Sequence, residues 1–172
     1  MKALDKLKQR YDEYIDFKYP NVPDKAKAKH TGKYPTHFTK SKTTNGLTSC
    51  IIQYIELLGW SAERSGNEGR VIDNRKIVTD TVGFQRTIGS VDRIKSSGKK
   101  GTSDVKAVIQ GRFVAIEIKN AKTRDRMSKV QEQYKQQVER SGGIYHVITD
   151  LESGIEWLDK FGENPFKHEF WK

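Results

Sequence analysis

The chain has 172 residues, with 32 Lys and Arg against 22 Asp and Glu, a formal charge of +10 and only 34% hydrophobic residues. That length accommodates one domain with its own core, and the charge suits a polyanionic partner, nucleic acid being the commonest, although a basic surface can also serve solubility alone. A lone Cys50 excludes an internal disulfide, and four scattered histidines do not make a zinc cluster. No apolar run is long enough for a membrane span or a signal peptide, so a reducing cytoplasm is the expected compartment.

Leu4, Leu7, Tyr11 and Ile15 recur at helical spacing and predict a helix over residues 2–17, broken by Tyr19-Pro20 and Val22-Pro23. From Lys18 to Lys42 seven lysines stand against a single acid, Asp24, with Tyr19, Tyr34 and Phe38 interleaved. Two readings apply: a basic arm that tracks phosphates and stacks on bases, or a solvated tail with no fixed partner. Residues 1–45 are therefore set apart as a basic N-terminal helix and arm, and 46–172 as the main domain.

A second helix is predicted over 45–58, where Leu47, Ile51, Tyr54, Ile55 and Leu58 form one stripe and Gly59 is the stop. Its only acid, Glu56, lies at the far end and reads as a solvated residue. Residues 60–65 read as a first strand. Beyond them, Val71-Ile72, Lys76-Ile77-Val78 and residues 84–88 read as short strands separated by Asp73-Asn74 and Thr81-Val82-Gly83. Arg70, Arg75, Arg86, Arg93, Lys95, Lys99 and Lys100 crowd this stretch, whose bland reading is an insertion covering a sheet edge. The Gly-Lys-Lys-Gly run ending at Gly101 is too short before its lysines to be a phosphate-binding P-loop.

Residues 101–119 carry the most information. Val105, Ala107 and Ile109 alternate with Asp104, Lys106 and Val108; Val114, Ile116 and Ile118 alternate with Phe113, Ala115, Glu117 and Lys119. Period two on both sides of Gln110-Gly111 predicts a β-hairpin with those two residues as its loop. Ile109 then faces Arg112, Asp104 faces Glu117, and Lys119 projects from the same side as Glu117. Two opposed carboxylates destabilise a ladder, and a bound cation turns that liability into a site.

Downstream, Val130, Tyr134 and Val138 predict a helix over 127–141 stopped by Gly142. Ser128-x-x-Gln131 has the form of a capping box, and Tyr134 reads as core. Residues 143–149 read as a strand in which His146 is a satisfied sheet histidine. Asp150 caps a last helix with Ile155, Leu158 and Phe161 on its apolar face and Gly162 as its stop. The tail residues Phe166, Phe170 and Trp171 are aromatic enough to dock on the body or on a second subunit.

Asp104, a dozen residues, then Glu117-Ile118-Lys119 on a hairpin resembles the core of the PD-(D/E)xK nuclease superfamily. Arg126-Met127-Ser128, Gln131, Tyr134, Val138 and Gly142-Gly143 extend the resemblance to the small phage-type VRR-NUC, or Holliday-junction-resolvase-like, branch. It covers roughly residues 46–150. The resemblance implies an α/β restriction-endonuclease-like mixed β-sheet flanked by helices, here with the basic N-terminal arm added. It further implies a Mg²⁺-dependent (or Mn²⁺-dependent) endonuclease acting on duplex, branched or junction DNA in replication, recombination or repair, in a bacterial or phage-infected cell. Asp104, Glu117 and the carbonyl of Ile118 are the implied metal ligands; Lys119 orients the attacking water, and Gln131 faces the carboxylates as a fourth catalytic residue. Asn67, Arg70, Lys99, Lys100, Ser103 and Arg126 are the implied contacts to DNA. A two-fold homodimer is implied where two strands are cut. The sequence departs from the family in two places: no acid lies between Thr44 and Leu47, where a first-helix Glu is usual, and Ser103 stands where the motif name has Pro. Those departures keep an alternative open, a catalytically inactive nucleic-acid-binding module on a nuclease scaffold.

Overall fold

The structure, a computed structural model, describes residues 2–66, 70–94, 99–119 and 126–172; the side chain of Arg70 is also outside the description. Its centre is the predicted hairpin. β6 (Val105–Ile109) pairs antiparallel with β7 (Arg112–Ile118), with Ile109 opposite Arg112 and Val105 opposite Ile116. Gln110 and Gly111 both have positive φ, 51° and 73°, as a two-residue primed turn requires. Gln110 bears the strain of that conformation as a non-glycine residue, and its side-chain amide donates to the carbonyl of Phe161 at 2.8 Å.

Two further strands complete a mixed open sheet in the order β1-β6-β7-β8. β1 (Ser61–Arg64) lies antiparallel to β6, and β8 (Ile144–Ile148) lies parallel to β7, reached through α5 (Lys129–Arg140) as a strand–helix–strand crossover. On one sheet face Val105, Ala107, Ile109, Val114, Ile116, Ile118 and Ile148 pack with α1 (Ala3–Lys18), α4 (Thr44–Leu57) and α6 (Leu151–Asp159), and the two outer strands add Arg64 and His146 to that face. Gly154 lets α6 settle closely there, since a Cβ would stand 2.6 Å from the Ile51 side chain. The opposite face carries a smaller cluster of Ala115, Val138 and Tyr145 under α5. The fold is mixed α/β, an open mixed sheet flanked by helices.

Residues 1–45, separated on charge in the sequence reading, share this core. Ala3 and Leu7 on α1 and Phe38 on α3 (Thr36–Thr39) are buried with α4. The Ala3 amide donates to Glu152, Lys6 pairs with Asp159, and Arg10 with Glu163, all across to α6 or just beyond it. Lys27 opens α2 (Ala28–Thr31) as its N-cap and is only 8% exposed, bonding Asp16 at 2.7 Å and Asp24 at 3.1 Å. Tyr34 donates to Asp12 and stacks on Phe38. Among the lysines from Lys18 to Lys42, Lys27 is buried and ion-paired, Lys29 pairs with Asp16, Lys18 lies over the Tyr14 ring, and all but Lys27 are exposed.

At the other end, α7 (Lys167–Phe170) brings Trp171 back onto the body, where its Nε1 donates to the Glu56 carbonyl, while Phe166 and Phe170 stay exposed. His146 stacks flat on Trp157 at 4.1 Å, and burial holds its pKa below the usual histidine range.

The stretch read as short strands does form them, at Arg70–Asp73, Lys76–Thr79 and Gln85–Ile88, with a fourth at Val91–Ile94 that was not expected. β2 (Arg70–Asp73) pairs with β5 (Val91–Ile94), and β3 (Lys76–Thr79) pairs with β4 (Gln85–Ile88). Among the described residues these strands pair only with one another and add no strand to the main sheet. Among the described residues no helix is long and apolar enough to cross a membrane.

Candidate active site

The register of the hairpin positions the first two residues. One step beyond the pair Val105–Ile116, the same ladder sets Asp104 across from Glu117, on the face opposite the main core and beneath α5. The backbone of Asp104 still belongs to the sheet, because its carbonyl accepts from the Ser65 amide at 2.8 Å beyond the end of β1. On its other side the Asp104 carboxylate, through Oδ2, accepts from the Ile118 amide at 2.9 Å. An extended residue turns its N–H and C=O to the same side. The Ile118 carbonyl therefore faces the side where Asp104 sits, while the Lys119 amide is engaged by Ile148 on the β8 side at 2.9 Å. Asp104 Oδ1 receives no donor among the described residues.

Glu117 is the buried member, 2% exposed. The Lys119 ammonium lies 3.0 Å from its Oε1, and the Gln131 amide donates to the same oxygen. The Tyr145 hydroxyl donates to Oε2 at 3.5 Å. Burial is the main influence on Glu117 and pushes its pKa above the usual carboxylate range; the negative charge of Asp104 acts in the same direction, against the Lys119 pair and the Tyr145 hydrogen bond. Tyr145 is pushed up in turn by its own burial and then by the Glu117 charge. Lys119 itself is only 9% exposed. The cluster is a desolvated charge group, which coulombic pairing alone does not repay in full.

Gln131 serves two purposes at once. Ser128 accepts from the Gln131 amide N–H while the Gln131 side-chain oxygen accepts from the Ser128 amide at 2.9 Å, the reciprocal capping box predicted from Ser128-x-x-Gln131. With its oxygen committed to the cap, its NH₂ can only point outward from the helix start, and there it meets Glu117. The cap thus aims the amide at the carboxylate.

The residues proposed to touch DNA divide into groups. Lys99, Lys100 and Arg126 are exposed and flank the start of α5: Gly101 packs on Val130, and Lys99 bonds Gln137 and lies over the Tyr134 ring. Ser103 is turned inward. It is fully buried, and its hydroxyl donates to the Val105 carbonyl at 3.0 Å, so a nucleic acid could reach it only by displacing that bond. Asn67 lies outside the described residues; Arg70 opens β2 by its backbone.

Tyr145 was not singled out by sequence reasoning. Its signal was the order strand, helix, strand, which predicts a parallel neighbour for β7; that pairing sets Tyr145 beside Ala115, two residues before Glu117 on the same face. At the start of α4, where the resemblance lacks its acid, Asn45 accepts from Arg64 at 2.6 Å.

The donor set suits a hard divalent cation. Asp104 Oδ1, the Glu117 carboxylate and the Ile118 carbonyl are hard oxygens of the kind that Mg²⁺ and Mn²⁺ take while retaining several waters. Among the described residues no group of three or more His, Cys, Asp and Glu side chains converges, so such a site is made of two carboxylates and a backbone oxygen. No protein-family model matches the chain, and no curated protein matches it.

Proposed function

We propose that the protein is a Mg²⁺- or Mn²⁺-dependent DNA endonuclease with a restriction-endonuclease-like fold, acting on branched or junction DNA. The observation that carries this reading is the meeting of Asp104, Glu117, Lys119 and Gln131 on one sheet face, in the arrangement that the PD-(D/E)xK resemblance implies. A binding protein gains nothing from two opposed carboxylates beside a phosphate backbone, because both repel it.

Asp104, Glu117 and the Ile118 carbonyl would hold the cation. When bound, it supplies charge neutralisation at a phosphoryl oxygen and a water of lowered pKa. The Lys119 ammonium, anchored by Glu117, orients the attacking water and offsets negative charge building on the phosphate oxygens. Gln131 and Tyr145 hold the Glu117 carboxylate in one orientation through both of its oxygens. Lys99, Lys100 and Arg126 supply sequence-independent attraction at the rim.

The alternative, a nucleic-acid-binding module that cleaves nothing, draws on Asn45 and Arg64 occupying the place of a first-helix carboxylate. Labelled duplex, flap and four-way-junction DNA incubated with the protein, with chelator or with Mg²⁺ or Mn²⁺, separates the two. Cation-dependent strand scission, strongest on a branched substrate, is expected. Tight binding without scission under every cation would leave the binding module.

A further inference from the structure

The pairs β2–β5 and β3–β4 share one register, from Arg70 opposite Ile94 to Thr79 opposite Gln85, and Asn74 bonds Ser90 between them. They form a single two-stranded ribbon about 35 Å long at the usual rise per residue. Its end is a tight loop in which Asp80 accepts from the amides of Val82 and Phe84 and Gly83 takes φ 89°. Every residue from 73 to 94 is exposed. A bare two-stranded ribbon is marginally stable in water, and this one presents Val82 at 79% and Phe84 at 75% exposure on its tip. A partner that covers this tip would remove apolar surface from water.

The charges on the ribbon say which. All three of its acids are used internally: Asp73 binds Arg75 through both oxygens, Asp80 caps the loop, and Asp92 accepts from Asn74 and Ser90. Lys76, Arg86 and Arg93 have no ion pair among the described residues. Lys76 and Arg86 share one face with Val78, Ile88 and, by alternation, Phe84. Two cations thus stand on this face in the half nearer the apolar tip, while Arg93, opposite Val71, projects from the other face.

We propose that this ribbon is a DNA-gripping arm. Lys76 and Arg86 contact phosphates, and Phe84 with Val82 packs against bases already unstacked at a branch point. A two-stranded ribbon is narrow enough for the major groove of duplex DNA, and an apolar tip inserts at least cost where stacking is already broken. The arm gives the enzyme its preference for branched substrates. This rests on DNA being the partner, and does not depend on the carboxylates cleaving it.

The test is fluorescence anisotropy in chelator, with a labelled four-way junction and a linear duplex of equal length, using the full chain. F84S is expected to weaken junction binding about tenfold while changing duplex binding little, the scale of losing one base–aromatic stack. K76S/R86S is expected to weaken both ligands and to flatten the log–log salt dependence by about two units, one per phosphate contact. Because these residues are exposed, the thermal midpoint of the body should not move. A third variant lacking residues 76–88 leaves Arg75 and Gly89 as a two-residue loop in the same register, and should bind the junction no better than the duplex. Unchanged binding by all three, with wild-type binding intact, overturns the arm and leaves DNA as partner. So does a ribbon deletion that splits a dimer into monomers without altering affinity, which would make the ribbon a contact between two copies. A wild-type protein that binds neither ligand removes DNA as the partner and the arm with it.

Discussion

Glu117 is ionised only against the cost of its surroundings. Its folded pKa is raised by burial and by Asp104, so across the window from the ordinary glutamate range up to that raised value the native state binds more protons than the unfolded chain. Stability from this group is present at low pH and is lost as pH rises through the raised pKa. In chelator, wild-type protein should therefore lose thermal stability across that window, and Glu117→Gln should show a flatter profile; identical profiles would remove the desolvated carboxylate from the account. Mg²⁺ should recover stability above the window, since the cation competes with the proton for the same oxygens. Gln131 poses a second question at this scale, whether the cap explains it fully. Ser128→Ala removes half of the capping box at about 1 kcal/mol and should leave turnover nearly unchanged. Gln131→Ala also frees Glu117 and should lower turnover by more than its effect on stability. Equal turnover in the two variants would reduce Gln131 to a cap.

At the scale of elements, the parts that were legible in the sequence are those governed by local periodicity and local chemistry. The hairpin register followed from alternation around Gln110-Gly111, and with it the shared face of Asp104 and Glu117. The box at Ser128 and the side-chain cap at Asp150 likewise lie within four residues of their partners. What escaped depends on distant partners. β5 was not read, because its ladder partner lies some twenty residues earlier and neither face of the ribbon has the continuous apolar row that marks a buried strand. Charge hid the N-terminal segment: seven lysines suggested an arm, whereas Leu7 and Phe38 carry it into the core and Asp12, Asp16 and Asp24 answer its polar groups. Leu7→Ala should accordingly cost about 2–5 kcal/mol, the range for truncating a buried leucine, read by denaturant unfolding. A change of no more than about 0.5 kcal/mol, the scale of an exposed substitution, would return α1 to the status of an appendage. Removal of residues 1–42 should destabilise the whole protein rather than merely weaken its hold on nucleic acid.

Over the whole molecule, a charge of +10 supports attraction to any polyanion, and the fold divides that attraction between an exposed ribbon and the rim around α5. Under the proposed function neither selects the reaction, which falls to the two carboxylates. Association should weaken steeply with salt for every DNA substrate, whereas cleavage should depend on the cation and on Asp104, Glu117, Lys119 and Gln131. The most direct measurement is single-turnover cleavage of a labelled branched DNA by wild type and Asp104→Asn in Mg²⁺, with binding followed in parallel. The account predicts that Asp104→Asn binds as tightly as wild type or slightly more so, because one negative charge facing phosphate is gone, and that it does not cleave. Cleavage by Asp104→Asn at the wild-type rate would contradict it.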